Sequence, residues 1–340
     1  MPQALALLEE LLRDAQVNNN DYNNMVSLML KGRQDSKLNQ ITCFAHLEEY
    51  GMYGPHNALR DEMTEKELRE TDPQALLDLL RDLAQYQHQV LYYGPLSQKE
   101  LDKCVTQHHP TDKNLKPAPE GEPYQLQAAK QPEVFIAPYD AKNIYMRMYY
   151  NEGRQTNLDE RATIELFNEY YGSGMNAIVF QEMREVRGLA YHASANYAIP
   201  SKKGEKESFN TFIITQNDKM TDCIRQFREI LDKMPQSEAA FQIAKDGLLK
   251  LLASERTLKF AVIMAYIEAQ KQGYDFDINK KVYEDLQGLT LKDITTFEQQ
   301  QMANKTGRYL ILGDEKELDI AALEKIAPIR RLSLEEIFGY

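Results

Sequence analysis

The chain has 340 residues, 43% of them hydrophobic and 27% charged, with a formal net charge of −12. Such a composition supports a core-forming globular protein of one large or two ordinary domains. So acidic a balance argues against a nucleic-acid backbone as partner, and no apolar run nears the roughly 20 residues that would make a membrane span.

The N-terminal stretch MPQALALLEELLRDAQ is too acidic and too amphipathic for a signal peptide, which leaves the compartment unknown. Leu7, Leu8, Leu11 and Leu12 fall at helical spacing and predict a packed helix. Further on, HLEEY (46–50) comes close to the inverted zinc-peptidase pattern His-x-x-Glu-His. Its second ligand position is Tyr50, and a phenol replaces a neutral imidazole poorly, so His46 is read as an ordinary helix residue.

An internal repeat organises the chain. MLKGRQDS (29–36) matches LLKLLASE (248–255), and the stretch ending at Gly94 matches the one ending at Gly313. An offset of about 219 residues aligns both, with Gly54 and Gly273 between them. Each copy reads as helices, then a Thr-led helix and a Tyr-bearing strand ending in Gly. Residues 1–107 are expected to be the second half of one unit, mostly helical with one strand, so the chain reads as cut at its N-terminus. The stretch 108–128 carries Pro110, Pro117, Pro119 and Pro123 and reads as a linker, with His108 and His109 a solvated pair. Residues 129–340 form a complete unit.

Within that unit, EVFIA (133–137) and NIYMRMYY (143–150) read as strands on either side of a turn at Pro138. A helix capped by Asn157 runs to about Tyr171. GLAYHASANYAI and SFNTFIITQ make a hairpin across Lys202-Lys203-Gly204. Met220, Cys223, Ile224, Phe227, Ile230 and Leu231 mark an amphipathic helix with Asn217 or Asp218 at its start. The fold class is α+β, duplicated units of a mainly antiparallel sheet packed against helices. Cys43, Cys104 and Cys223 have no metal or redox spacing and read as reduced structural thiols.

The segment LFNEYYGSGMNAIVFQEMREVRGLAY (166–191) holds the candidate chemistry. Its YGSGM lacks the Gly-Lys-Ser/Thr of a phosphate loop and follows no strand. Gly172 and Gly174 are expected to supply a positive-φ helix end and a close helix–helix approach. Arg184 and Tyr191 stand seven residues apart across Gly188, so a turn there can bring a guanidinium and a phenol to one spot. Both donate to a carbonyl or its oxyanion. The alternative is packing, because Tyr191 shares strand parity with Leu189, Ala193 and Tyr197.

The same segment resembles the hallmark of the M16 zinc metallopeptidases, the pitrilysin or insulin-degrading-enzyme type. The likeness rests on the Gly172/Gly174 turn, Phe180, Gln181-Glu182, Arg184-Glu185 and Gly188 to Tyr191. Two departures stand out: Ser173 replaces the middle glycine, and Ala177-Ile178-Val179-Phe180 replaces Ser-Arg-Leu-Phe. The resemblance implies the C-terminal, zinc-less half of such a hydrolase, one wall of a peptide chamber, with Arg184 and Tyr191 reaching a peptide or unfolded-protein substrate. Zn2+ would sit in an N-terminal catalytic half or a separate zinc-bearing subunit. This chain would hold no metal and be inactive alone. The alternative is a catalytically inactive structural or partner subunit of a larger complex.

Overall fold

The structure, a computed structural model, describes residues 1–129 and 131–340. Helices α1 (Pro2–Asp14), α2 (Asn19–Ser36), α3 (Gln40–Tyr53), α4 (Glu65–Glu70), α5 (Pro73–Asp82) and α6 (Gln98–His108) precede the first strand. Then come β1 (Glu133–Pro138), β2 (Asn143–Tyr150), α7 (Arg161–Phe167), α8 (Ile178–Phe180), β3 (His192–Ala198) and β4 (Ser208–Gln216). A helical block follows: α9 (Met220–Asp232), α10 (Glu238–Ser254), α11 (Phe260–Lys271), α12 (Ile278–Leu286) and α13 (Leu291–Gln301). The chain closes with β5 (Arg308–Gly313), α14 (Ile320–Ile326), β6 (Ile329–Arg331) and α15 (Leu334–Phe338). Two compact units result, one of residues 1–36 and 62–123, the other of 37–61 and 124–340.

The first unit is helical and held largely by polar ties. The Arg81 guanidinium donates to the carbonyls of Leu12, Arg13 and Ala15, fastening α5 to the end of α1. Buried Arg33 donates to the Met63 carbonyl and pairs with Glu62. Thr64 and Glu67 form a reciprocal capping box on α4, as do Ser97 and Glu100 on α6. The helix expected at the N-terminus forms, but Leu7, Leu8 and Leu11 lie exposed, because nothing in this unit covers them.

The strand expected to end at Gly94 does not form. A strand needs a neighbouring ladder, and the extended partner there is Lys116, which gives a single bridge to Tyr86. Nor is His109 solvated: its ring contacts Glu9 through Nδ1 and His88 Nε2 at 2.9 Å.

The second unit is built on one six-stranded mixed sheet in the order β3-β4-β2-β5-β1-β6. β1 pairs in parallel with β5 and β6, while β2–β4, β2–β5 and β3–β4 are antiparallel. The strands expected around Pro138 are both present, but β5 lies between them, so they are not a hairpin. The β3–β4 hairpin forms as expected.

Alternation along the central strands buries both faces. Val134, Ile136, Tyr309 and Ile311 point into the helical layer with Leu166, Phe227 and Ile294. Phe135, Ala137, Leu310 and Leu312 point the other way, under Phe44 and Leu47 of α3 and Ile337 and Phe338 of α15. Gly51 allows this contact, since a Cβ there would lie 2.4 Å from the Leu310 side chain. Residues 37–61 fall before the proline-rich stretch in sequence yet complete this unit's second face. Compactness and order along the chain are separate properties here.

In the helical layer, Asn157 caps the turn leading into α7, its side chain accepting from Asp159 N–H at 3.2 Å. The expected apolar residues of α9 are buried. Its start is a tight turn over Asn217–Lys219 with no side-chain cap, and the Asn217 side-chain amide donates to the Ala141 carbonyl.

Candidate functional site

α7 runs on into a wide π turn over Asn168–Gly172, which brings the chain against the outer edge of β3. Asn168 accepts from Tyr197 N–H at 2.7 Å and donates to its carbonyl at 3.0 Å. Gly172 sits so close to Ala195 that a Cβ would lie 1.9 Å from that carbonyl oxygen. The close approach expected of this glycine is therefore helix to strand. Gly174 has the expected positive φ, 83°. Ile178 and Val179 are buried core residues, which gives the departures at these positions a packing role.

A second π turn, Gln181–Val186, follows α8 and ends at Gly188, whose φ is 58°. Gly188 N–H donates to the Arg184 carbonyl at 3.1 Å and Leu189 N–H to the Met183 carbonyl at 2.9 Å, a widened glycine-terminated helix end. The reversed chain is then pinned. Tyr191 N–H donates to the Ile214 carbonyl at 2.8 Å, and Thr215 Oγ1 donates to the Leu189 carbonyl at 2.6 Å.

This turn brings Arg184 and Tyr191 together. The Arg184 Cζ lies 5.4 Å from the Tyr191 ring centroid and 5.1 Å from that of Phe180. At an exposed site such stacking contributes only about 0.5–1 kcal/mol. Both groups keep polar surface: the Arg184 side chain is 43% exposed, with Glu185 3.6 Å away, and Tyr191 is 72% exposed. Neighbouring Arg187 instead bonds Glu182 and Gln226. Strand parity had favoured a packed Tyr191. It fails because the ladder begins at His192, so only Ala193, Ala195 and Tyr197 of that row are buried.

His192 is a member of the cluster that the motif does not single out. It lies on the opposite sheet face from Ala193, beside Phe212 (5.3 Å between ring centroids), with Nε2 3.2 Å from Ser194 Oγ. Burial, and then the Arg184 charge, push its imidazole below the ordinary value, so at neutral pH it is uncharged. The available signal was its position one residue out of phase with the buried row.

His46 and Tyr50 do not fit a metal site. The His46 ring is buried, stacked on Phe338 with centroids 3.8 Å apart. Tyr50 OH donates to Glu336 Oε1 at 2.8 Å and accepts from Arg330 at 2.7 Å. Among the described residues no group of three or more His, Cys, Asp or Glu is placed to hold a metal ion. The three cysteines are free, and burial pushes the Cys43 thiol up to about 11, which makes it unreactive.

A six-stranded mixed sheet with helices on both faces and a glycine-bounded Arg/Tyr turn at its edge defines an α+β domain. The family model described as the peptidase M16 inactive domain matches residues 84–248. No curated protein matches the chain.

Three solved structures share the fold. The peptidase M16 inactive domain from Pseudomonas fluorescens is 17% identical, TM-score 0.66, with 92% of this chain and 74% of that one covered. The ferredoxin protease FusC, solved as a mutant in complex with Arabidopsis ferredoxin, is 10% identical, TM-score 0.72, with 92% and 34% covered. A chain of complex III2 from Candida albicans is 13% identical, TM-score 0.62, with 96% and 79% covered. This chain thus spans about a third of the ferredoxin protease's length.

Proposed function

We propose that this chain is the zinc-less half of an M16-type metallopeptidase and forms one wall of its peptide chamber, where Arg184 and Tyr191 meet the substrate. The observation that supports this is the Arg184–Tyr191 pair itself. A guanidinium and a phenol are held together by a doubly pinned turn, yet neither is consumed by the domain's own packing. Donors fixed in this way bind a peptide carbonyl and the oxyanion that develops from it without reorganising.

In this reading the zinc and the general base belong to another half or a separate subunit, and this chain alone cleaves nothing. Its substrate is a peptide or unfolded protein. The ferredoxin protease, solved in complex with Arabidopsis ferredoxin, shares the fold, which supports a polypeptide substrate for this chain.

The test is peptide turnover by the assembled enzyme carrying Tyr191→Phe. Loss of one oxyanion donor should lower kcat by about 10²- to 10³-fold with an unchanged melting temperature. Unaltered turnover would remove the assignment.

The likeness to a chain of complex III2 favours a second reading, an inactive structural subunit of a larger assembly. Under that reading the partner half lacks a His-x-x-Glu-His helix, and its sequence distinguishes the two.

A further inference from the structure

Three side chains of the first unit meet far from the Arg184 turn in sequence: Glu9 on α1, His88 after α5, and His109 at the end of α6. His109 Nε2 lies 2.9 Å from His88 Nε2. The second nitrogen of each ring is engaged elsewhere. His88 Nδ1 is 2.8 Å from the Tyr86 carbonyl oxygen, and His109 Nδ1 is 2.5 Å from Glu9 Oε1. A carbonyl and an ionised carboxylate can only accept, so each Nδ1 carries a hydrogen. In the neutral rings both Nε2 atoms are then bare lone pairs in contact, and two acceptors at this distance repel unless a cation joins them.

The backbone beneath these rings is held in place. Gln87 N–H donates to the Lys116 carbonyl and Lys116 N–H to the Gln85 carbonyl, both at 2.8 Å. His109 N–H closes α6 on the Val105 carbonyl at 2.7 Å. The His109 side chain is 16% exposed and that of Glu9 29%, whereas His88 is open to solvent. A small cation can enter from the His88 side and meet ligands that are already oriented.

We propose that His88 and His109 bind a divalent transition-metal ion through their Nε2 atoms, with Glu9 and the Tyr86 carbonyl as the outer partners that fix the two tautomers. A ligating histidine ordinarily donates its other N–H to a carboxylate or a backbone carbonyl, and this pair has one of each. Two metal–nitrogen bonds of about 2.0–2.1 Å span about 2.9 Å at right angles and roughly 3.4 Å at a tetrahedral angle. The separation found here is the right-angled one. Imidazole ligands in that arrangement suit Ni2+ or Cu2+, with solvent in the remaining positions. The ion's role is structural: it ties the 86–88 segment to α6 and, through Glu9, to α1. The proposal is independent of the reading of Arg184 and Tyr191.

The experiment titrates Ni2+ into the tag-free 340-residue chain by isothermal calorimetry and records the electron paramagnetic resonance of the same protein with Cu2+. One ion should bind per chain, the copper spectrum should be split by two nitrogens, and the bound ion should raise the unfolding midpoint. Glu9→Gln still accepts from His109 Nδ1, so it should bind in the same geometry but about 10- to 100-fold more weakly. His88→Ala should weaken binding further than Glu9→Gln does. Because His88 is exposed, this variant should keep the metal-free unfolding midpoint of the parent. His56→Gln, the control, should change nothing. Nickel binding that survives His88→Ala would overturn the proposal, as would a copper spectrum with one nitrogen or none. So would a chain that binds neither ion and shows, by ring-nitrogen NMR, one proton shared between the two Nε2 atoms; the contact would then belong to that proton alone.

Discussion

The side chain of Asn168 satisfies both outward backbone groups of Tyr197, accepting from its N–H at 2.7 Å and donating to its carbonyl at 3.0 Å. β3 is an edge strand, and an edge with unpaired amides recruits other chains. Asn168 stands where a seventh strand would pair. We expect Asn168→Ala to cost about 1–3 kcal/mol, the desolvation of groups left without partners. It should also make the protein self-associate with rising concentration. Urea unfolding and sedimentation velocity measure the two effects; a variant as stable and as monomeric as the parent would show that the edge is protected by other means.

Gly172 and Gly174 flank one residue and are needed for different reasons. A Cβ on Gly172 would meet the Ala195 carbonyl oxygen at 1.9 Å, a backbone atom of a strand that cannot swing aside. Gly174 has open space around it but a φ of 83°. Gly172→Ala should therefore cost roughly 3 kcal/mol or more, as severe overpacking does, whereas Gly174→Ala should cost roughly 1–2 kcal/mol for left-handed backbone alone. Equal losses in a denaturant series would mean that the π turn moves away from β3 at little cost.

The contrast between these glycines shows what the sequence could carry. The short β-branched and aromatic runs 133–137 and 143–150 located strands that the structure contains, and the 3.6-residue pattern of Met220, Cys223, Ile224 and Phe227 located α9 and its buried face. Local chemistry also put a turn at Gly188, and with it Arg184 beside Tyr191. Partners distant in sequence were not legible. No periodicity inserts β5 between β1 and β2, nor places α3 on that sheet. Tyr191 was misjudged by parity because alternation holds only inside a ladder, and the ladder starts one residue later. His192 went unremarked for the same reason.

Glu298 gives the fold a pH dependence of definite sign. It is 2% exposed on α13, and its Oε1 and the hydroxyl of buried Tyr171 have no hydrogen-bond partner among the described residues. Burial, with a further contribution from Asp232, pushes its carboxyl up to about 7, against 4.5 in an open chain. The folded state then holds a proton that the unfolded state releases, so stability declines as pH rises from about 4.5 to about 7 and levels off above that. Glu298→Gln keeps the shape without the charge. It should be more stable than the parent at pH 8, by on the order of 3 kcal/mol, and equal to it near pH 4. Unfolding free energies across this range decide the matter: a difference between the two proteins that does not change with pH would mean that Glu298 titrates normally.

Arg184 tests the site in a way that Tyr191→Phe cannot, because it separates charge from geometry. Its guanidinium lies over the rings of both Phe180 and Tyr191, a contact that suits a planar delocalised cation better than a compact ammonium. Arg184→Lys retains the positive charge but loses the fork and the stacking. If the group holds a substrate carbonyl in the assembled enzyme, both Arg184→Lys and Arg184→Ala should lower kcat/KM. The lysine variant should recover less than a tenth of the activity lost in the alanine variant. Stability should barely move, since an exposed stack of this kind contributes about 0.5–1 kcal/mol. Full activity in the lysine variant would mean that only long-range charge matters. Removing the charge should also raise the His192 imidazole, because Arg184 is one of the two causes that depress it. That shift is readable by NMR titration of Arg184→Ala in this chain alone, and its absence would place the guanidinium away from His192.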